Sequence, residues 1–422
     1  MKQLLLIFAL FICTLPVNAQ FMEVTQGPGY SASVYLDLAT KEMTTVDYTE
    51  WDVAFNVGRF ASSVFVNEAI ASSRSEELLE VQAFTSSATD FASADTSMIT
   101  NRLHNSEVSW TDGAFDSAAN PADPFDLGWG TYSPATQTVS GSRIFFVSTR
   151  DGNYHKFHVS SLVSGVYTFV HGPIDGSSVD TVTIDKADFV GKNMAYFSFS
   201  DGVLDLEPAS WHLKFTRYGT PQEIAPGEWT EYVVTGVLHA SGVSVAEVYD
   251  PNPETVAAPT DEAAYSDTLD VIGFDWKTLE SIFPVEWSLP SDLVYFVKTP
   301  DSLYRVRFVD FEGSGTGIST IQIGNEGVVA TTNRPATVNR SRLYPNPAPQ
   351  FATLELEAKQ SAEGLRLEII DPAGRILQVS RVPSLSVGTN RIEIPLGTLP
   401  SGNYFVRLSG SLGVLTHHLI KQ

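Results

Sequence analysis

The sequence predicts an all-β protein made of tandem antiparallel domains. Three observations predict it. Helical periodicity is almost absent along the 422 residues. Short β-branched and aromatic runs alternate instead with Gly, Asp, Asn and Pro, the punctuation of antiparallel strands and turns. The third observation is repetition. "IFFVSTRDGNYHKFHV" (Ile144–Val159) lies on "VYFVKTPDSLYRVRFV" (Val294–Val309) at an offset of 150. Phe146, Val147, Thr149, Asp151, Tyr154 and Val159 meet Phe296, Val297, Thr299, Asp301, Tyr304 and Val309.

Each copy reads as a hairpin. In the first, "RDGN" is the turn, and Asp-Gly supplies the positive φ that tight turns demand. In the second, "TPDS" is the turn and Pro300 presets φ. Past the turns the alternation changes phase, Phe157 and Val159 against Val306 and Phe308. A one-residue bulge in one copy would reconcile them. Upstream, an aromatic strand and turn lead from Tyr35 to Trp51, and again from Tyr196 to Trp211. Both tryptophans open a Trp-x-aliphatic-x-Phe strand. A unit this long is a domain, not a solenoid repeat. The expected layout is domain 1 over 20–178, domain 2 over 179–325, a linker over 326–341 and a third unit over 342–422. The third unit, with about seven short strands, suggests a small β-sandwich.

The N-terminus reads as a secretory signal peptide over 1–19. Lys2 precedes the apolar run "LLLIFALFICTL", and small residues lead to a cut after Ala19. The one cysteine, Cys13, lies within it. The mature chain therefore has no disulfide and no thiolate metal site. The net charge is −23, yet residues 340–422 carry +3 and residues 20–339 carry −27. So acidic a body repels phosphate backbones and excludes nucleic acid as a partner.

Here the residues support resemblance to known families. "YPNP" (Tyr344, Pro345, Asn346, Pro347), "DPAGR" with Gly374, "SGNYFVRL" with Gly402 and Tyr404, and "HHLIKQ" with Lys421 resemble a type A sorting domain of the type IX secretion system. The resemblance implies export from a Gram-negative periplasm by the type IX secretion machinery, then removal of the domain by its C-terminal signal peptidase. The mature protein is released or held at the cell surface. "WDVAFN", "SGVYTFVHGPIDGS", "WHLKFTRY" and "VVTGVLHASGVSVAEV" resemble the HmuY family of secreted haem-binding proteins, in two tandem copies.

That resemblance implies haem as a ligand. Haem needs an axial ligand over an apolar slot. Between the Trp strand and the hairpin, the first copy offers Met98 and His104 and the second His239. Residues spaced by three on a strand point to opposite faces, so His155 and His158 make no pair. The acidic loops Ser117–Gly130 and Tyr249–Asp267 lack the alternating register of a calcium loop. No nucleophile elbow, phosphate loop or His-Glu-x-x-His occurs, so no enzyme is expected. The repeated aromatics read as packing. The expected function is ligand binding at or beyond the cell surface, with haem the leading ligand. The alternative is an adhesive or structural surface protein that binds protein or glycan.

Overall fold

The computed structural model describes residues 20–69, 80–327, 338–371, 375–382, 384–397, 399–411 and 413–422. The expected signal peptide, most of the expected linker and Gly374 lie outside them. Strands make up 53% and, among the described residues, no helix reaches seven residues, so the protein is all-β. Two compact units meet in sequence between Glu326 and Gly327.

The first unit opens with β1 (Gln20–Thr25), β2 (Ala32–Leu36), β3 (Met43–Asp47), β4 (Val53–Asn56), β5 (Val64–Val66), β6 (Gln82–Ser86) and β7 (Ile99–Leu103). Next come β8 (Gly130–Ser133), β9 (Thr138–Gly141), β10 (Phe145–Ser148), β11 (Tyr154–Val163), β12 (Val166–Pro173), β13 (Asp180–Asp185), β14 (Met194–Ser198) and β15 (Gly202–Leu204). It ends with β16 (Leu213–Ala225), β17 (Glu228–His239), β18 (Ser244–Tyr249), β19 (Thr278–Ile282), β20 (Val285–Ser288), β21 (Leu293–Lys298), β22 (Leu303–Phe311) and β23 (Ile318–Gly327).

Two sheets have matching orders, β13-β12-β11-β10-β6 and β1-β23-β22-β21-β18. Two more match likewise, β15-β14-β4-β5 and β3-β2-β16-β17. In the second pair the strands are exchanged between the halves. β14 pairs with β4, placing Tyr196 opposite Ala54 and Phe197 opposite Val53. β2 pairs with β16, placing Tyr35 opposite Lys214 and Leu36 opposite Leu213. β1 closes the far sheet on β23. The expected boundary at 178/179 therefore does not separate two self-contained sheets. One core gathers Phe55, Phe115, Trp129, Phe157 and Phe197. The other gathers Val24, Tyr35, Trp211, Phe215, Trp276 and Ile321, from both ends of the unit. A strand of period two can add to either copy in the same register, so its own pattern does not name its partner.

The halves lock together where the repeated aromatics cross. Trp51 packs edge-on against Tyr196 at 4.9 Å, and Trp211 edge-on against Tyr35 at 5.0 Å. The Tyr35 and Tyr196 hydroxyls lie 2.5 Å apart. Such edge-on pairs add about 1 kcal/mol each beyond the area they bury. Beside them Glu207, buried, accepts from Asn193 N, Asn193 Nδ2, Met194 N and Trp211 Nε1.

The opening hairpin corrects one detail. Phase is reconciled in the turn, not by a bulge within it. Ser148 pairs with Tyr154 across Thr149–Asn153, whereas Lys298 pairs with Leu303 across 299–302. The first turn is one residue longer, with Gly152 at φ 78° as Asp-Gly predicts. His155, not Tyr154, is then the counterpart of Tyr304, and Phe157 and Val159 match Val306 and Phe308.

The second unit holds β24 (Val338–Tyr344), β25 (Phe351–Ala358), β26 (Leu365–Ile370), β27 (Ile376–Val382), β28 (Gly388–Pro395), β29 (Gly402–Gly410) and β30 (Gly413–Lys421). Sheets β24-β25-β28 and β27-β26-β29-β30 contribute Leu354, Leu356, Leu367, Ile369, Val406 and Leu419 to one core. The "YPNP" segment clasps the last strand. Asn346 Oδ1 accepts from Ile420 N at 2.8 Å, and Ala348 N donates to Ile420 O at 2.8 Å. Tyr404 donates to Pro400 O at 2.9 Å.

Candidate functional site

Two hairpins of the first unit border a groove, a space of about 670 Å³. One is β16–β17, whose strands run 13 and 12 residues. The corresponding β4 and β5 have four and three. The other is β19–β20, a two-stranded hairpin paired to no other sheet among the described residues. Arg217, Gln222 and residues 232–235 line the groove from the β16–β17 hairpin. Glu231 lines an adjoining polar cleft with Glu68 and His104, which shares Arg217, Tyr232 and Val233 with the groove. Gly236 lets the loop at Gly273 close the groove floor: a Cβ there would sit 2.4 Å from Gly273 O.

Tyr30, Tyr232, Leu279 and Trp287 give the groove flat apolar walls. Arg217 and Lys277 supply its cations, against Asp275. Lys277 Nζ donates to Thr235 O at 2.7 Å and Phe274 O at 3.2 Å, and sits 4.1 Å from the Trp276 ring centroid. Burial pushes its pKa down to about 7. The Trp287 indole N–H in the groove wall has no hydrogen-bond partner. That N–H is itself buried and packs over Gly313. The cavity at the Tyr35–Tyr196 junction is much smaller, about 70 Å³.

The structure does not bring the three sequence candidates together. His104 Nδ1 lies 2.8 Å from Glu68 Oε1 in the polar cleft. Met98 packs partly buried against the small cluster of Ala94, Ile144 and Phe146. His239 is 1% exposed. Its ring nitrogens meet Ala240 O at 3.1 Å and Thr268 O at 2.8 Å. Burial pushes its pKa down, against the pull of those two carbonyls. None of the three lines the groove. His155 and His158 do face apart. His155 stacks on Phe199 at 4.1 Å, and His158 Nδ1 meets Arg143 O at 2.8 Å. Sequence reading missed Tyr30, Tyr232, Lys277 and Trp287. For Tyr232 and Trp287 the one sequence signal is the aromatic-acidic pattern of "EWTEYVV" and "VEWS", which a core strand does not carry; Tyr30 and Lys277 have none. Among the described residues no three His, Cys, Asp or Glu are grouped to hold a metal ion.

Residues 29–170 match the family described as HmuY protein, and residues 342–422 match the secretion system C-terminal sorting domain. The chain carries an HmuY domain and a type IX sorting domain. It is a secreted or cell-surface protein of a Bacteroidetes-type Gram-negative bacterium. The sorting domain implies an interaction with the secretion machinery. Neither family is an enzyme family. No curated protein matches the chain. Among solved structures, PorZ of Porphyromonas gingivalis, an essential bacterial surface component of the type-IX secretion system, aligns at 12% identity and a TM-score of 0.15. The alignment covers 91% of this chain and 55% of PorZ, so the chain spans about half its length. That likeness carries no weight for fold or function. Among the described residues no helix is long and apolar enough to cross a membrane.

Proposed function

We propose that this is a non-enzymatic binding protein, exported by the type IX route, whose ligand occupies the groove between β16–β17 and β19–β20. The sorting domain is then removed by a C-terminal signal peptidase, and residues 1–19 are lost as a signal peptide. The body reads as two copies of one HmuY-like fold, a reading supported by the matched sheet orders and registers. The observation that carries the ligand site is the groove itself. It combines aromatic walls with two basic side chains, Arg217 and Lys277. That set suits a flat ring system bearing oxygen acceptors.

Haem is the first ligand to test, because of the HmuY match. The groove lining holds no His, Met or Cys. An axial imidazole or thioether from its walls does not fit. Recognition would run through ring faces and peripheral acceptors instead. The test is parallel titration of the mature protein with haem and with iron-free protoporphyrin, followed at the Soret band. Both should saturate, with dissociation constants within about threefold of each other. Binding of haem alone would contradict the reading.

A further inference from the structure

The two hairpins that border the groove end in exposed apolar tips. Phe283 is 92% exposed between Ile282 and Val285 on β19–β20. On β16–β17, Trp229 is 64% exposed, beside Ile224 and Tyr232. Large apolar side chains so exposed on two neighbouring arms mark an interaction surface rather than a core. The length of the β16–β17 arm is not needed to close its sheet, since the corresponding β4 and β5 do so in four and three residues.

Charge says what they fit. From Pro221 to Tyr232 the arm carries Glu223, Glu228 and Glu231 and no Lys or Arg. From Thr278 to Ser288 the other carries Glu280 and Glu286, again with no cation. All five carboxylates are exposed. The body behind them, residues 20–339, is at −27. A second copy of this chain would bring carboxylate against carboxylate. An anionic lipid surface would be repelled likewise. We infer that the tips of β16–β17 and β19–β20 dock a cationic amphipathic protein segment, with Trp229 and Phe283 as apolar anchors on arms that carry glutamates and no Lys or Arg. This proposal does not rest on the groove ligand. Exposed apolar anchors supply affinity, and the glutamates supply steering and specificity.

The probes are a synthetic Lys/Leu amphipathic peptide, its Glu/Leu counterpart and phosphatidylcholine vesicles, each passed over the immobilised mature protein. The Lys/Leu peptide alone should bind, weakening as salt screens the glutamates. The double variant Trp229→Ser/Phe283→Ser should lose about tenfold or more in affinity with an unchanged melting temperature, because both side chains lie in solvent. Glu280→Gln/Glu286→Gln should slow association. Equal binding of the Glu/Leu peptide, binding to the vesicles, or a double variant that binds like wild type would overturn the proposal. Porphyrin titration of the same double variant keeps this outcome distinct from that of the groove.

Discussion

Lys277 shows how one residue can be both structural and responsive. Two carbonyls accept from its ammonium, and the Trp276 and Phe311 rings lie 4.1 and 5.0 Å from it. Those groups favour the charged form. Burial opposes them and holds the pKa near about 7, below the ordinary 10.5. The folded protein therefore gives up a proton that the unfolded chain keeps between pH 7 and 10.5. Stability must rise with pH across that window and lose the gain as pH falls through about 7. The ceiling is about 1.4 kcal/mol per unit of separation, and the rings and carbonyls keep the gain below it. Urea unfolding of wild type and Lys277→Met from pH 6 to 10.5 should show the wild type gaining on the variant as pH rises. A constant difference would remove the residue from this account. Single residues were partly legible in the sequence. Trp51, Trp211, Phe146 and Phe296 read as packing, and they pack. Lys277 was not legible, because nothing local separates it from any lysine beside a tryptophan.

Elements were legible as elements but not as partners. The hairpins at Phe145 and Leu293 follow from alternation and turn chemistry. That β2 joins β16 and β14 joins β4 does not, because each strand presents the same alternation to either copy. The extra turn residue was hidden for a similar reason. Tyr154 and Tyr304 match in sequence while His155 and Tyr304 match in space. β1 is where pairing has its largest consequence. It covers the edge of β23 over six residues, Gln20 to Thr25, and buries Val24 completely. A chain running from Gln26 to Gln422, sorting domain retained, loses that burial and leaves an edge strand open. The first unit should be destabilised by about 3 kcal/mol. Calorimetry should show its transition moving down while that of the C-terminal sandwich stays in place. An unmoved first transition would mean that β1 adds nothing to the sheet.

At the scale of the whole molecule, the sorting domain and the groove proposed to take a ligand belong to separate units. The address was legible because it is a string of local signatures, "YPNP", "SGNYFVRL" and the terminal strand, that fold within eighty residues. The groove was not legible. Its walls come from Tyr30, from Arg217 and Tyr232 of one hairpin and from Lys277 and Trp287 at another, three segments distant in sequence that only strand exchange and two extended arms bring together. The histidines singled out from the sequence lie elsewhere, His104 on Glu68 and His239 between two carbonyls. The most direct measurement is therefore haem affinity, by Soret titration, of the mature protein and of four variants. Trp287→Ala and Tyr232→Ala should each weaken binding by about tenfold or more, while His104→Ala and Met98→Leu bind like wild type. Loss of binding in His104→Ala or Met98→Leu, with the groove variants unaffected, would contradict the account.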